Sequence, residues 1–286
     1  MHIQRGAWAE INLDAVAHNV QMAKANLKPT TKLCAVVKAD AYGHGAVRVA
    51  QEAARNGADF FAVALLQEGV KLREAGIETP ILVLGSMLPE VAEICVRYDI
   101  SHAVFDEERL YALNAAALKL HTKAKIHIKI DTGMHRIGVH VRDAGRFAKL
   151  AASLPGIYIE GVFSHFATAD ADDKQYAAYQ FERFQEALRL IEAEGVHIPI
   201  RHIANSAALT ELQEYQLDMV RQGITLYGLH PAHMIDCYKD FEPVMTVKTQ
   251  VAFVKTLPPG ETIGYGRTYT LTRPSVIATV PIGYAD

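Results

Sequence analysis

The chain has 286 residues, half of them hydrophobic and 21% charged, with a formal net charge of −3 at pH 7. That is soluble globular composition, enough for one large domain or for one domain plus part of a second. The near-neutral charge points away from nucleic acid and anionic membranes as partners, and no apolar run reaches the roughly 18 residues of a membrane span.

The first residues, MHIQRGAWAEINLD, lack the long apolar core of a secretory signal. A helix is expected over 14–27, with Asp14 as its cap. Short apolar runs then alternate with amphipathic segments. The runs are LCAVV (33–37), FFAVA (60–64), ILVL (81–84), HAVF (102–105), IHIKI (126–130), IEGVF (159–163), RHIA (201–204) and MVRQG (219–223). Helical spacing is expected over 45–55, 66–75, 89–97, 106–120, 141–153, 172–194 and 206–212. Eight strands, each followed by a helix or turn over about 230 residues, point to a (β/α)8 barrel. Their unbroken apolar character fits strands covered on both faces. The strand count alone also admits an open, doubly wound sheet.

After about Phe241 the texture changes. VMTVKTQVAFVKTL alternates, PPG makes a turn, and GYGRTYTLT and VIATVPIGYAD follow without helical spacing. This reads as the start of an all-β domain. The expected division is a barrel over 1–240 and the first part of a β-domain over 241–286. Three strands are too few to bury a good core alone.

Cys34, Cys95 and Cys237 are odd in number and far apart. They match neither a disulfide framework nor a zinc pattern, so a reduced cytoplasmic protein without a metal is expected. The thirteen histidines include no HExxH, and no Walker A loop is present.

In a barrel, reactive groups gather at the C-terminal ends of the strands. The polar residues there are Lys38, Asp131, His165, Asn205 with Ser206, and Arg221. The ends of strands seven and eight form the usual phosphate-binding corner. NSAA (205–208) offers a hydroxyl at a helix start, and RQGI (221–224) a glycine where backbone can approach an anion. A phosphate facing a strand-one lysine suggests pyridoxal phosphate, whose aldehyde takes a lysine amine.

Seven segments occur in the order seen in alanine racemases: AVVKADAYGHG, KIDTGMHRIG, FSHFATAD, NSAA, VRQGITLYG, IGYGRTY and VPIGYAD. The chain resembles that family from end to end. The resemblance implies a pyridoxal-phosphate-binding (β/α)8 barrel followed by a β-domain, assembled as a homodimer. The implied activity is racemisation of L- and D-alanine for peptidoglycan by two bases on opposite faces of a planar carbon. Lys38 matches the lysine that carries the cofactor and serves as one base. Tyr265, in GYGRTY, matches the other base, which the partner subunit supplies.

By the same resemblance Arg221 donates to the pyridine nitrogen and His165 stands beside the ring. Arginine cannot accept a hydrogen bond, so that nitrogen stays unprotonated and the ring withdraws electrons more weakly. Arg136 faces the substrate carboxylate, where a fork of donors suits the ligand. His135 occupies a place where a smaller residue, often glycine, is common, which leaves the local loop in question. Lys129 stands where the family sometimes carries a carbamylated lysine. Tyr42, Ser206, Gly223 and Ile224 match the phosphate cradle, the last two through backbone N–H groups. Ala169, Asp170 and Tyr284 match the substrate entryway.

The family runs on by roughly a hundred residues past GYAD, so the chain is expected to be truncated within the β-domain and, taken alone, to lose activity. The alternatives are a non-catalytic pyridoxal-phosphate-binding fragment and a related racemase acting on serine or lysine. A barrel decarboxylase and a single-domain carrier are disfavoured by Arg221 and GYGRTY respectively.

Overall fold

Leu33, Cys34, Ala35 and Val36 are consecutive and all buried. Such a run satisfies a strand only where both faces are covered. In the computed structural model, which describes residues 6–231 and 239–284, Lys32–Val36 is the first of eight mostly buried strands. The others are Phe60–Val63, Ile81–Val83, Ser101–Val104, Ala124–Asp131, Ile157–Phe163, Ile200–His202 and Met219–Gln222. The first seven pair in order, each parallel to the next, and the eighth pairs parallel with the first. The seventh and eighth are joined by hydrogen bonds from Asp218 N–H to the Arg201 carbonyl (3.0 Å) and from Arg221 N–H to the Ala204 carbonyl (3.1 Å). The sheet is therefore a barrel, and the open doubly wound alternative is set aside. Every strand lies within two residues of its expected run.

Helices fill the crossovers, from Ala46–Arg55 and Leu66–Glu74 to Gln175–Ala193 and Ser206–Glu211. The first helix is Leu13–Ala25. It starts one residue earlier than expected, so Asp14 lies inside its first turn instead of capping it. There its charge still complements the free N–H groups of the helix end. Asp106 does cap Glu107–Lys119, accepting from Arg109 N–H. The barrel interior packs Cys34, Val36, Phe60, Ala62, Leu82, Ile200 and Met219 together. The pairing of the fifth and sixth strands contains a β-bulge. Ile126 faces Ile159, but His127 faces Gly161, so Glu160 is skipped.

The contacts divide the chain into Leu13–Val244, which is the barrel, and a second unit that joins the residues up to Asn12 to those from Met245 on. The expected boundary assigned residues 1–12 to the barrel. Instead Ala7–Ile11 pairs antiparallel with Met245–Thr249, Ala7 opposite Thr249. A strand whose partner is some 240 residues away leaves no local signal in the sequence. Within the second unit Phe253–Leu257 also pairs with Ser275–Thr279, and Thr262–Ile263 with Tyr269–Thr270. Cys237, Ala285 and Asp286, which carried expectations above, lie outside the described residues. No helix among the described residues is long and apolar enough to cross a membrane.

Candidate active site

Directly after the first barrel strand comes Lys38, and after it Ala39, Asp40, Ala41 and Tyr42 all have φ between 51° and 55°. Four successive L-residues in the left-handed region form a turn that costs about 1–2 kcal/mol per residue. Surrounding groups hold it. Glu68 Oε1 accepts from Ala39 N–H at 2.7 Å, while its Oε2 accepts from Ala64 N–H at 2.8 Å and Leu65 N–H at 3.1 Å. Asp40 Oδ1 accepts from Ala46 N–H and from Lys71 Nζ, both at 3.1 Å. Gly43 and Gly45, at φ 85° and 88°, let the chain leave the turn. Strain concentrated beside a lysine is a hallmark of functional sites. The Lys38 amine stands 5.7 Å from the centre of the Tyr42 ring. Tyr42 packs edge-on against Tyr227, whose hydroxyl donates to the Val36 carbonyl at 2.8 Å.

Lys38 opens into a cavity of about 610 Å³ at the C-terminal ends of the strands. Tyr42, Lys129, Arg136, His165, Asp170, Ser206, Arg221, Gly223 and Ile224 line it with Lys38. Separate strand ends thus bring most of the expected residues to one place. Ala169 is buried and does not line the cavity; its carbonyl accepts from Lys174 Nζ at 2.7 Å. Tyr265 and Tyr284 belong to the second unit and are 95% and 99% exposed.

Arg221 is almost wholly buried. Its Nη1 donates to His202 Nδ1 at 2.7 Å, and its Nη2 reaches the Ser164 carbonyl (2.8 Å), His165 Nδ1 (2.9 Å) and the Ile203 carbonyl (3.0 Å). Burial lowers its pKa to about 10, which still leaves it charged at neutral pH. Because guanidinium only donates, both imidazoles must accept at Nδ1 and carry their proton at Nε2. Burial first, and the Arg221 charge second, hold the pKa of His165 and of His202 well below the ordinary range. Both rings are therefore neutral.

Lys129 is 3% exposed and donates to the Ile130 carbonyl at 2.6 Å. Burial, then the Arg221 charge, lower its pKa to about 7, so much of it is a free amine at neutral pH. Arg136 sits on a loop tied to Asp131. Asp131 Oδ1 accepts from Gly133 N–H (3.1 Å) and His135 N–H (3.0 Å), and its Oδ2 meets His135 Nδ1 at 2.9 Å. His135 has φ 53°. A glycine would take that conformation freely, and here the Asp131 bonds hold a histidine in it. At the far side Gly223 N–H donates to Ser206 Oγ at 2.7 Å, which leaves the hydroxyl proton of Ser206 available to an anion. Asn205 Oδ1 caps the following helix through Ala208 N–H at 3.1 Å.

Two residues important to this geometry escaped the sequence reading. Glu68 looked like an ordinary acid in a helix first turn. His202 lay inside the RHIA run, with nothing to show that it faces Arg221.

The alanine racemase N-terminal domain family model matches residues 11–231, and the C-terminal domain model matches 244–286. The alanine racemase of Desulfovibrio desulfuricans is 46% identical over 282 residues, 99% of this chain and 76% of that protein. The solved alanine racemase of Clostridium difficile 630 superposes with a TM-score of 0.94 at 40% identity, covering all of this chain and 75% of that one. A structure of a histidine racemase from Leuconostoc mesenteroides gives 0.89 at 29% identity, with 100% and 76% covered.

Proposed function

The chain belongs to the alanine racemase family, and we propose on that premise that it interconverts L- and D-alanine with pyridoxal 5′-phosphate. The observation that carries this reading is one cavity holding a lysine amine opposite a buried arginine clamped between two neutral histidines.

The residues present fit that cofactor. Lys38 offers the amine, Ser206 a hydroxyl, Ile224 its backbone, and Arg221 a fixed donor in the same cavity. When bound, pyridoxal phosphate supplies an aldehyde for the amine and a ring that draws electrons from the substrate α-carbon. Lys38 holds or returns the α-proton on one face, and Tyr265, contributed by a second copy of the chain, does so on the other. Arg221 cannot accept a proton from the ring nitrogen. Against a pyridine nitrogen it would offer a donor and no acceptor, and so would favour simple return of the proton over side reactions. Arg136 binds the substrate carboxylate. The free amine of Lys129 can take up carbon dioxide: nitrogen bonds to carbon, a proton leaves, and the resulting anion faces the nearby arginines. Asp170, Tyr284 and, through its buried neighbour position, Ala169 belong to the entryway. The biological role is supply of D-alanine for peptidoglycan, in the cytoplasm, where buried thiols such as Cys34 and Cys95 remain reduced.

The test uses the purified protein with pyridoxal phosphate. D-alanine should form from L-alanine, and borohydride should fix a pyridoxyl group on Lys38. A label on another lysine, or no D-alanine from a labelled protein that spans the relatives' whole length, would sink the reading. Mixed dimers of Lys38→Ala and Tyr265→Phe should recover one native site; no recovery after proven exchange would refute the shared site. Because one structural neighbour is a histidine racemase, action on another amino acid is the second reading, and histidine, serine and lysine belong in the same assay.

A further inference from the structure

Behind Arg221, the barrel interior holds a row of polar side chains that starts at His202 and continues through groups the proposed chemistry does not use. His202 Nε2 and His127 Nδ1 are 2.9 Å apart, and His127 Nε2 is 3.0 Å from Glu160 Oε2. Ser101 Oγ donates to the same carboxylate oxygen at 2.5 Å. His127 and His202 are fully buried, and Ser101 nearly so.

The backbone is shaped to build this row. Glu160 is the extra residue of the β-bulge opposite Ile126 and His127, and a bulge re-aims the side chain it carries. Gly161 follows it. A Cβ there would lie 2.5 Å from His127 Nδ1 and 2.7 Å from the Ile200 carbonyl, so the imidazole occupies space that glycine alone leaves open. The His202 ring stacks on Phe163 at 4.9 Å with 7° between planes, which fixes its orientation.

Direction follows from what each group can do. Arg221 only donates, so His202 Nδ1 accepts and His202 Nε2 carries the proton. That proton points at His127 Nδ1, so His127 also carries its proton at Nε2. An ionised carboxylate only accepts, and Glu160 ends the row in the sense that Arg221 begins it. Burial works against that charge, but the bonds from His127 and Ser101 and the nearby Lys125 outweigh it and keep the Glu160 pKa below its ordinary value.

We propose that Glu160 is a positioning residue: through the tautomers of His127 and His202 it keeps an acceptor in front of Arg221 Nη1 and so holds the guanidinium in place. This rests on the racemase reading only for its catalytic consequence. Without Glu160, His127 is free to carry its proton at Nδ1, where it meets the Nε2 proton of His202. His202 then shifts its own proton to Nδ1, which opposes a donor to the arginine.

The test is a long-range 1H–15N correlation on the 15N-histidine-labelled protein loaded with pyridoxal phosphate. Native His127 and His202 should both show the Nε2–H tautomer; an Nδ1–H form of His202 there overturns the proposal whatever the variants do. Glu160→Met should lose the pure tautomer and lower kcat about tenfold with KM for alanine little changed. Glu160→Gln, whose carbonyl still accepts, should keep the tautomer and restore most of kcat. Native tautomers and native kcat in folded Glu160→Met would also overturn it. The tautomer readout decides the relay whether or not racemisation is observed, so failure here and failure of the racemase reading are separable.

Discussion

His102 lies wholly buried in the fourth barrel strand, with Nδ1 2.7 Å from the Ala103 carbonyl and Nε2 without a hydrogen-bond partner. Burial lowers its pKa from 6.5 to about 4. The unfolded chain takes up this proton as pH falls below about 6.5, whereas the folded chain does not until about 4. Unfolding therefore binds a proton in that window, and stability falls as the pH falls through it, by about 3 kcal/mol in full. His165 and His202 add to the effect with the same sign. Urea unfolding at pH 7 and pH 5 should show a smaller loss in His102→Leu than in the native protein; equal losses would exclude His102 as a source. At this scale the sequence was readable where a polar residue interrupts an apolar strand. Arg221 does so, Lys38 and His165 follow closely on such runs, and all three reach the cavity. Glu160 was not readable, because nothing in IEGVF shows which way its glutamate faces. Only the bulge turns it inward, and a bulge is a matter of register with another strand.

The strands themselves were legible because a buried parallel barrel demands unbroken apolar runs. The left-handed turn at 39–42 was not, since its handedness is imposed on alanine, aspartate and tyrosine, none of which requires it. YGHG marked its exit only. Glu68 is the element that holds this turn, joining the first and second strand ends through three backbone N–H groups. Glu68→Ala should destabilise the barrel by about 2 kcal/mol and loosen the segment that presents Lys38. The expected outcome is a lower urea midpoint together with faster loss of pyridoxal phosphate on dilution, whereas Glu68→Gln should lie between the two. A native rate of cofactor loss in Glu68→Ala would show that the turn holds itself.

Over the whole molecule, the barrel could be read from the sequence and the composition of the second unit could not. The strand at Ala7–Ile11 carries no sign of its distant partner. Phe253, Val254 and Val276 remain exposed, and the chain spans about three quarters of the length of the relatives it matches. One feature of the barrel bears on how it moves. Seven of its eight joints are paired ladders, while the seventh and eighth strands meet through the Asp218 and Arg221 amides. The next rung along this joint is Gly223 N–H to Ser206 Oγ, at the corner assigned to the phosphate. A ligand that grips both sides there acts as a latch on the thinnest seam. Amide hydrogen exchange at Asp218 and Arg221 should slow with pyridoxine 5′-phosphate and stay unchanged with pyridoxine, which has no phosphate to close it. Equal protection by both would mean that the ring, not the phosphate, fastens the barrel. If the latch holds, the enzyme's resistance to opening is set by the anion at its rim, and cofactor supply becomes a control on how long each molecule survives proteolysis.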